Sequence, residues 1–382
     1  MKPLQGSKAF MRIGIDARKI RDFGVGAYIE NLIRYIPEFD PENEYYIFYY
    51  PTDKDYVPQL GSNIKFVPDT SPKYSIRELV VLPFKMAKLR LDLFHAPHYT
   101  LPPIRPCKGV VTIHDVIHLR FPEYLPHPAA YYYAKGMMWA AAKSAKKVIT
   151  VSECSKQDIM RYLDVPEEKI AVVYNGIDVE KIPPGLPLEK GGSVEDRFSI
   201  SREYILYLGN FMPHKNLEML VKAYGLLKRQ SRITQRLVLA GKNERMRPTL
   251  EKLIAAEKLE QYVILTGFVE PEWLPMLYAH ADLLVYPSRY EGFGLQVLEA
   301  MAYQIPVAIS NVAALPEIAG DAAIQFDPQS AESMADAMYK TLTDQTLRAA
   351  LIEKGNQRVK QFSWQAMARK TVEIYQSVMH DA

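Results

Sequence analysis

The sequence has few cysteines, no long apolar run and little net charge. Two cysteines among 382 residues are too few for a disulfide framework and suit a reducing cytoplasm. No stretch reaches the roughly 18 apolar residues of a spanning helix, and residues 1–10 lack the apolar core of a signal peptide. The formal net charge of +3 is too small to indicate nucleic-acid binding. The sequence therefore predicts a soluble cytoplasmic protein, in which Met11 resembles a second start and residues 1–10 an extension.

The rest of the composition is that of a folded protein: 48% of residues are hydrophobic and 24% are charged. Short apolar runs alternate with amphipathic ones, which predicts α/β structure with doubly wound parallel sheets. The alternation stops at residues 180–199, a stretch rich in proline, glycine and charge that indicates a linker or large surface loop. We therefore expect two Rossmann-like domains, 1–182 and 183–362, with ligands bound at the carboxyl ends of their strands.

Two loops of the first half could carry chemistry. In DARKIRDFGVGAYI (16–29), Gly24 and Gly26 are expected in a turn before a helix that opens near Ala27. Such a turn either binds an anion with its backbone amides or is a plain strand–helix connection. His114 and Asp115 follow an apolar run, where a histidine can donate to a substrate oxygen and shuttle protons, or can simply be satisfied within a turn.

Two loops of the second half form a stronger pattern. In YILYLGNFMPHKN (204–216) a strand and a glycine turn precede Lys215, which adds a positive charge to amides that can cradle phosphate. In YPSRYEGFGLQVLEAM (286–301) Glu291 precedes a helix and Glu299 lies within it. Gly292 and Gly294 let the backbone approach a ligand, and carboxylates suit the hydroxyls of a sugar or ribose. Glu291 as a turn residue and Glu299 as a solvated one is the alternative, which the combined pattern disfavours.

These residues resemble the retaining glycosyltransferases of the GT-B fold, specifically glycosyltransferase family 4. The resemblance covers nearly the whole chain and is most specific in EGFGLQVLEAM (291–301), the Glu-x7-Glu signature of the family. The shorter stretches LFHAPHYTLPP and IHDVIHLRFPE are similar to mannosyl- and rhamnosyltransferase members, which gives a lean toward GDP-mannose. The resemblance implies two Rossmann-like domains that face each other across a cleft, with the final helix, within 363–382, joined to the first domain.

The resemblance also implies a role for each site residue. Lys215 would bind the donor diphosphate, Glu291 the transferred sugar and Glu299 the ribose, while His114 would touch the sugar or lie near the reacting carbon. The other expected donor-binding residues are Gly209, Asn210, Arg289, Gly292, Phe293, Gly294 and Leu295, with Gly24 and Gly26 near the phosphate and the acceptor.

The chain departs from the family pattern at Asn210, where many members have a second phosphate-binding arginine, so Arg289 or helix dipoles would have to supply that charge. Proline is common at the position of Gln296, and a small residue at that of Gln304. Neither difference removes a group that the reaction needs.

No metal or other cofactor is expected. His114 and His118 have no evident third ligand, and the Asp53-Lys54-Asp55 pattern lies in a charged, proline-flanked loop that favours a solvated turn. The implied reaction transfers a hexose to a glycan or lipid-linked acceptor with retention of configuration, by a same-face displacement because no nucleophile is evident for the opposite face of the sugar. Hydrolysis is disfavoured, since no second carboxylate can be placed about 5 Å from Glu291. Such a reaction would serve cell-surface polysaccharide or glycolipid assembly.

Other functions remain open from the sequence: a UDP- or ADP-sugar transferase, a sugar-nucleotide epimerase or phosphorylase of the same fold, or a nucleotide-sugar-binding regulatory subunit. A dehydrogenase is disfavoured because no Gly-x-Gly-x-x-Gly follows Ile15. Residues 77–90 mix apolar and basic side chains, so peripheral contact with the inner face of a membrane is a separate hypothesis, although Pro83 is expected to interrupt that helix and its apolar face is needed for the core.

Overall fold

A computed structural model describes residues 10–58, 61–125, 127–179, 197–198, 200, 203–242 and 246–380. The chain divides into two compact units: Met1–Gly176 with Trp364–Ala382, and Ile177–Ser363. The predicted boundary at 182, most of the predicted linker 180–199 and most of the proposed extension 1–10 lie outside the described residues.

The first unit is built on a parallel sheet. Its described strands are β1 (Arg12–Asp16), β2 (Glu44–Tyr49), β3 (Ile64–Pro68), β4 (Leu93–Ala96), β5 (Lys108–Thr112), β6 (Lys147–Thr150) and β7 (Ile170–Val172). They lie in the order β3-β2-β1-β4-β5-β6-β7, and every residue of β4 is buried. Helices cover both faces of such a sheet, which explains why its central strands are continuous apolar runs in the sequence.

The described helices between these strands are α1 (Phe23–Phe39), α2 (Ile76–Leu89), α3 (Ile117–Arg120), α4 (Pro128–Ser144) and α5 (Glu153–Leu163). Three short 3-10 helices accompany them: Pro51–Tyr56, Pro122–Tyr124 and Glu167–Lys169. Serine caps begin two of the α-helices, since Ser75 accepts the amide of Glu78 and Ser152 that of Ser155. The crossover order β1-β2-β3 and then β4-β5-β6 is that of a doubly wound fold.

The second unit repeats the plan. Its described strands are β8 (Tyr204–Leu208), β9 (Arg236–Ala240), β10 (Val263–Gly267), β11 (Ala281–Tyr286), β12 (Val307–Ser310) and β13 (Ala323–Phe326), in the order β10-β9-β8-β11-β12-β13. Its described helices are α6 (Leu217–Arg229), α7 (Arg247–Ala256), α8 (Leu274–Ala279), α9 (Leu295–Ala302), α10 (Leu315–Ala319), α11 (Ala331–Thr343) and α12 (Gln345–Val359), with 3-10 turns at Pro213–Lys215 and Pro271–Trp273. Strands β8 and β11 are neighbours, so the loops that follow them open at the same edge of the sheet.

The last helix, α13 (Trp364–His380), packs along α1 in the first unit. Its buried side chains recur at helical spacing: Trp364, Met367, Thr371, Tyr375 and Val378. The hydroxyl of Tyr375 lies 2.6 Å from Nδ1 of His95 on β4, which ties the helix to the sheet through a buried polar contact. No helix in the described part of the chain is long and apolar enough to cross a bilayer.

Two helix predictions were wrong in detail. Helix α1 begins at Phe23, so Gly24 and Gly26 lie in its first turn and not in a turn before Ala27. A Cβ at Gly26 would lie 2.1 Å from the carbonyl oxygen of Ile20, so the close approach of this loop explains the glycine. Helix α2 continues through Pro83, because the buried Leu82 and Met86 hold it to the core on either side.

Candidate active site

The centre of the candidate site in the second unit is an ion pair between the two residues that the sequence singled out most strongly. Nζ of Lys215 lies 2.6 Å from Oε1 of Glu291, and the two side chains are only 10% and 12% exposed. Lys215 ends a 3-10 turn after β8, and Glu291 follows β11. The parallel pairing of these strands thus brings together two residues that are 76 positions apart.

Tyr286, the last residue of β11, completes this centre, and its role was not predicted. Its hydroxyl lies 3.5 Å from Nζ of Lys215 and donates to Oε1 of Gln296 at 3.0 Å. Burial, with the carboxylate of Glu291 nearby, raises the pKa of Tyr286 well above its ordinary value, so the hydroxyl stays protonated. Gln296, at the position where proline is common, therefore fixes the hydroxyl of Tyr286 beside Lys215.

The loop that carries Lys215 is fastened to the loop that carries Glu291. Asn216 adopts a left-handed conformation with φ of 60°, and its Nδ2 donates to the carbonyl oxygens of Pro287 and Pro328. Arg289 donates its amide to the carbonyl of His214 and its Nε to Oδ1 of Asn216. Arg289 is exposed, so its charge is accessible while its backbone is fixed.

Gly209 and Asn210 form the turn that leads from β8 into this loop. The backbone of Gly209 has φ of 155°, and a Cβ there would lie 2.8 Å from the hydroxyl of Tyr207. That hydroxyl donates instead to the carbonyl of Asn210 at 2.7 Å, and Oδ1 of Asn210 is 3.4 Å from the amide of Met212. Asn210 therefore shapes the loop, and it brings no positive charge to the site.

The segment from Gly292 to Leu295 leads into α9. Gly294 caps the helix in a left-handed conformation with φ of 104°, and a Cβ there would lie 2.7 Å from Cδ2 of Leu315. The ring of Phe293 is buried edge-to-face against Phe362, with centroids 5.8 Å apart. Glycine is therefore required at 294 by backbone and space, and Leu295 begins a helix whose first amides can face an anion.

Glu299 lies one turn inside α9 and is held by a tyrosine that the sequence analysis missed. The hydroxyl of Tyr278 donates to Oε2 of Glu299 at 2.5 Å, and the Tyr278 ring stacks on Tyr303 with centroids 5.0 Å apart. Burial raises the pKa of Glu299, while the hydrogen bond from Tyr278 favours the ionised form and opposes that rise. Tyr278 thus positions the carboxylate of Glu299 and favours its ionised form.

The hydrogen bond from Tyr278 to Glu299 makes one pH dependence testable. If Glu299 binds as a carboxylate, Tyr278→Phe raises its pKa further, and affinity is then lost at a higher pH than in the unchanged protein. A hydrogen bond to a charged group contributes about 1.5–3 kcal/mol, so on the acid side we expect the variant to bind roughly tenfold or more weakly than the unchanged protein. Calorimetric titration of a nucleotide sugar from pH 5 to 8 measures this, with Tyr303→Phe as the control. An unshifted acid limb in Tyr278→Phe would contradict the role of Glu299.

In the first unit His114 follows β5, as predicted. Its Nε2 donates to the carbonyl oxygen of Pro97 at 3.0 Å, and its ring packs edge-to-face on Tyr28 at 5.0 Å. Burial lowers the pKa of His114 to about 4, although the Pro97 hydrogen bond acts in the opposite direction. The imidazole is therefore neutral near pH 7, and the expected proton shuttling of His114 is not supported by its surroundings.

The glycines of α1 lie in the same unit. Gly24 is exposed in the first turn, whereas Gly26 is buried and donates its amide to the carbonyl of Asp22 at 2.8 Å. The amide of Gly26 is thus already used by the helix, and Gly24 is the glycine whose backbone a ligand can approach.

The Asp53-Lys54-Asp55 loop is not simply a solvated turn. It forms a 3-10 helix in which Asp53 is 7% exposed, accepts the hydroxyl of Thr52 and lies 3.7 Å from Arg21. The prediction of a solvated turn was therefore wrong for Asp53, because its burial depends on packing that the local sequence pattern does not show. Across the described residues, no three His, Cys, Asp or Glu side chains are grouped as metal ligands would be.

Comparison with known proteins gives the family. The model described as Glycosyltransferase Family 4 matches residues 24–181, and the model described as Glycosyl transferases group 1 matches residues 195–358. O-antigen chain mannosyltransferase B of Escherichia coli is 34% identical over 283 residues, which are 74% of this chain and 74% of that protein. The chain belongs to glycosyltransferase family 4. The predicted enzyme class, a glycosyltransferase, is thereby confirmed.

Solved structures agree on the fold of this glycosyltransferase. Sucrose-phosphate synthase from Thermosynechococcus elongatus has a TM-score of 0.77 at 20% identity and covers 97% of this chain and 100% of its own. Anabaena HepE in complex with UDP-glucose has a TM-score of 0.73 at 17% identity and covers 96% and 100%. With the two parallel-sheet Rossmann-like units described above, these likenesses confirm the predicted GT-B fold.

Proposed function

We propose that this glycosyltransferase moves mannose from GDP-mannose to a hydroxyl of a glycan or lipid-linked glycan, with retention of configuration and without a metal ion. The observation that carries the proposal is the Lys215–Glu291 pair at the carboxyl ends of β8 and β11. Mannose is supported by the similarity to an O-antigen mannosyltransferase, which also favours a role in polysaccharide assembly. A nucleotide-sugar donor is supported by the UDP-glucose complex of Anabaena HepE.

Lys215 would stabilise the departing diphosphate. Cleavage of the anomeric C–O bond puts negative charge on the leaving oxygen, and a fixed cation lowers the energy of that charged state. Glu291 holds the ammonium of Lys215 at 2.6 Å, so the protein itself positions the cation. Donor phosphate would then share Lys215, with the first amides of α9 and Arg289 as further donors.

Glu291 would accept hydrogen bonds from hydroxyls of the transferred mannose through the carboxylate lone pairs that Lys215 does not occupy. Glu299 would accept those of the ribose, with Tyr278 holding the carboxylate in place. A carboxylate oxygen can accept hydrogen bonds from two hydroxyl groups, and a sugar diol has two neighbouring hydroxyl groups to donate.

Retention is supported by the resemblance to the retaining members of the family, and among the described residues neither carboxylate of the signature is free to act as the nucleophile of a two-step route. Glu291 is engaged by Lys215 and Glu299 by Tyr278, so each carboxylate of the signature already has a binding partner. The acceptor hydroxyl would attack on the face that the diphosphate leaves, and the leaving phosphate oxygen would take its proton. His114, neutral near pH 7, would orient the sugar through hydrogen bonding and would not act as the acid.

The donor class is tested by thermal unfolding with GDP-mannose, UDP-glucose, ADP-glucose and a dTDP-sugar, each in the presence of EDTA. A ligand at about 100 times its dissociation constant adds about 2.7 kcal/mol to the free energy of unfolding. We expect GDP-mannose to raise Tm most. A larger shift with another nucleotide would replace the donor, and a shift that appears only when Mg²⁺ replaces EDTA would contradict metal independence.

We also propose that α2 rests on the surface of an anionic bilayer. Its exposed side carries Ile76, Val80 and Phe84, which are 82%, 61% and 79% exposed and follow one another at a spacing of four residues. A stripe of this kind is unusual on a surface that contacts only water, and Arg77, Lys88 and Arg90 are exposed on the same helix or at its end. The basic groups would pair with anionic headgroups while the apolar ones enter the interface, which would place the enzyme beside a lipid-linked acceptor.

Vesicle flotation tests this surface. We expect the protein to bind phosphatidylcholine vesicles that contain phosphatidylglycerol and to bind pure phosphatidylcholine vesicles more weakly. The Val80→Glu, Phe84→Glu double variant should bind neither kind of vesicle. Phe268→Glu, which alters a residue 48% exposed in the second unit, is the control. Flotation of the double variant equal to that of the unchanged protein would contradict the proposal. If the unchanged protein is a dimer without lipid and the double variant is a monomer, the face would be assigned to contact with a second copy.

A further inference from the structure

A cluster of aromatic rings lies at the carboxyl edge of the first sheet, outside the donor-binding loops. Tyr74 is at its centre, with ring centroids of His98 and Tyr99 at 6.0 Å and of Tyr133 at 6.5 Å. Lys19 donates to the hydroxyl of Tyr74 at 2.5 Å and lies 4.1 Å from the centre of its ring. Tyr74 and Tyr133 remain 41% and 42% exposed, so the cluster is open to a ligand.

The backbone of Tyr74 is held in a conformation that a bulky residue rarely adopts. Its φ is 61°, in the left-handed region, which costs free energy for any side chain and most for large ones. Two hydrogen bonds fix it there: its amide donates to Oε2 of Glu78 at 2.8 Å, and its carbonyl accepts the hydroxyl of Tyr133 at 3.0 Å. Strain that the surroundings enforce is commonly found where a side chain must be presented to a ligand.

Glu78 is itself fixed by buried charge. Its Oε1 accepts NH2 of Arg18 at 2.6 Å, and Arg18 also forms a two-point contact with Asp16 at the end of β1. Arg18 is 2% exposed and Glu78 3%, so these groups are locked in the core. A buried network that ends on the amide of Tyr74 makes Glu78 a positioning residue for that ring.

The cluster adjoins the part of the first unit where the reaction is expected. The loop after β4 contains Pro97, whose carbonyl accepts Nε2 of His114, and His98 follows it directly. Nδ1 of His98 is buried and has no hydrogen-bond partner among the described atoms, and such atoms are few in native proteins. The nearby charges of Lys19 and Lys73 are both shared with Asp22, so charge does not dominate this surface.

We infer that the Tyr74 ring, with His98 and Tyr133 beside it, is the surface on which the acceptor's terminal hexose ring packs. This inference rests on the proposed transferase function for its biological meaning. A hexose presents an apolar C–H face and polar edges, which match an exposed aromatic face bordered by hydroxyl, imidazole and ammonium groups. Tyr74 is then a specificity-determining residue for the acceptor, remote from the donor-binding loops in the chain.

Saturation-transfer NMR with methyl α-D-mannopyranoside tests the surface without any reaction. We expect the sugar C–H signals to respond with the unchanged protein and with Tyr74→Phe, and to be lost with Tyr74→Asn. Asparagine tolerates the left-handed conformation, so the backbone can keep its shape, and a Tm well above the measuring temperature would show that the loss reflects the missing ring and not unfolding. Tyr132→Ala, which alters a tyrosine 72% exposed on the same helix as Tyr133, should behave as the unchanged protein. Absence of any signal with the unchanged protein, or equal signals with Tyr74→Asn, would overturn the inference.

Transfer from GDP-mannose to octyl α-D-mannopyranoside separates this inference from the proposed function. We expect Tyr74→Asn to raise the acceptor KM about threefold to tenfold, as the loss of one aromatic contact would, while the donor KM is unchanged. If the unchanged protein transfers mannose and Tyr74→Asn has the same acceptor KM, the inference about the aromatic surface would be wrong and the proposed function would stand. No transfer by the unchanged protein, with sugar binding that depends on the ring, would remove the function and leave the surface.

Discussion

Lys215→Met is expected to lower kcat/KM for sugar transfer about a thousandfold. A unit charge about 4 Å from a phosphate oxygen contributes about 4 kcal/mol at an effective dielectric near 20, and each 1.36 kcal/mol is a factor of ten in rate. Lys215 is 8% exposed and fixed by Glu291 and Tyr286, so little reorganisation is needed when charge develops. Methionine keeps the unbranched chain up to its fourth atom and lacks the ammonium group. Initial rates over a range of donor concentrations measure the effect.

Lys222→Met is the matched control, because Lys222 is exposed on α6, the helix that begins just after Lys215. It removes the same charge from the same unit and should leave kcat/KM within about twofold. If Lys215→Met were as active as this control, the diphosphate role of Lys215 would have to be abandoned.

Glu291→Gln is expected to lower kcat by about a hundredfold to a thousandfold while donor affinity changes by less than about threefold. Glutamine has the same shape but lacks the charge that positions Lys215 and accepts two sugar hydroxyls, and the loss of one preorganised polar group commonly has this size. Rapid-quench measurement of turnover together with calorimetric measurement of the donor Kd separates the two quantities. Equal losses in turnover and affinity would contradict the role that we assign to Glu291.

Glu218→Gln, at an exposed position on α6, is the control for this change. The double variant Lys215→Met, Glu291→Gln gives a second check on the pair. Because each single variant leaves one mostly buried charge without its partner, the double variant should unfold at a higher denaturant concentration than the less stable single variant. Additive destabilisation would indicate that the contact between Lys215 and Glu291 contributes no coupling.

Much of the fold could be predicted because buried parallel strands leave an unmistakable pattern. The alternation of short apolar runs with amphipathic ones predicted doubly wound parallel sheets, and each of the two units contains one. The start of α1 was misplaced because glycine occurs both in turns and where another part of the backbone comes close to a helix. Gly26 was interpreted as a turn residue, but it allows the carbonyl of Ile20 to approach α1 within the helix.

The two charged residues of the site could be found from the sequence, but their contact could not. Lys215 and Glu291 stand out because each follows a strand and precedes a helix, whereas their pairing depends on β8 and β11 being neighbours. Tyr286 and Tyr278 were missed because a tyrosine at the end of a strand or within a helix reads as core until its hydroxyl is located. Asn216 carried a weak signal, since asparagine is favoured where φ is positive.

The surroundings of titratable groups were also beyond the sequence. His114 was placed correctly after β5, yet its pKa of about 4 depends on how deeply the ring is buried. Asp53 was expected in solvent, and its burial depends on packing that a local pattern does not report. In both cases the sequence drew attention to the residue, but the burial of its side chain could not be predicted.

The most direct test of the account is the structure of the reaction product. The unchanged enzyme would be incubated with GDP-α-D-mannose, octyl α-D-mannopyranoside and EDTA, and the new glycosidic linkage identified from its one-bond anomeric C–H coupling. The account predicts an α-linked dimannoside. A β-linked product would contradict retention, and the formation of free mannose alone or of no product at all would contradict the transfer of mannose to a glycan hydroxyl.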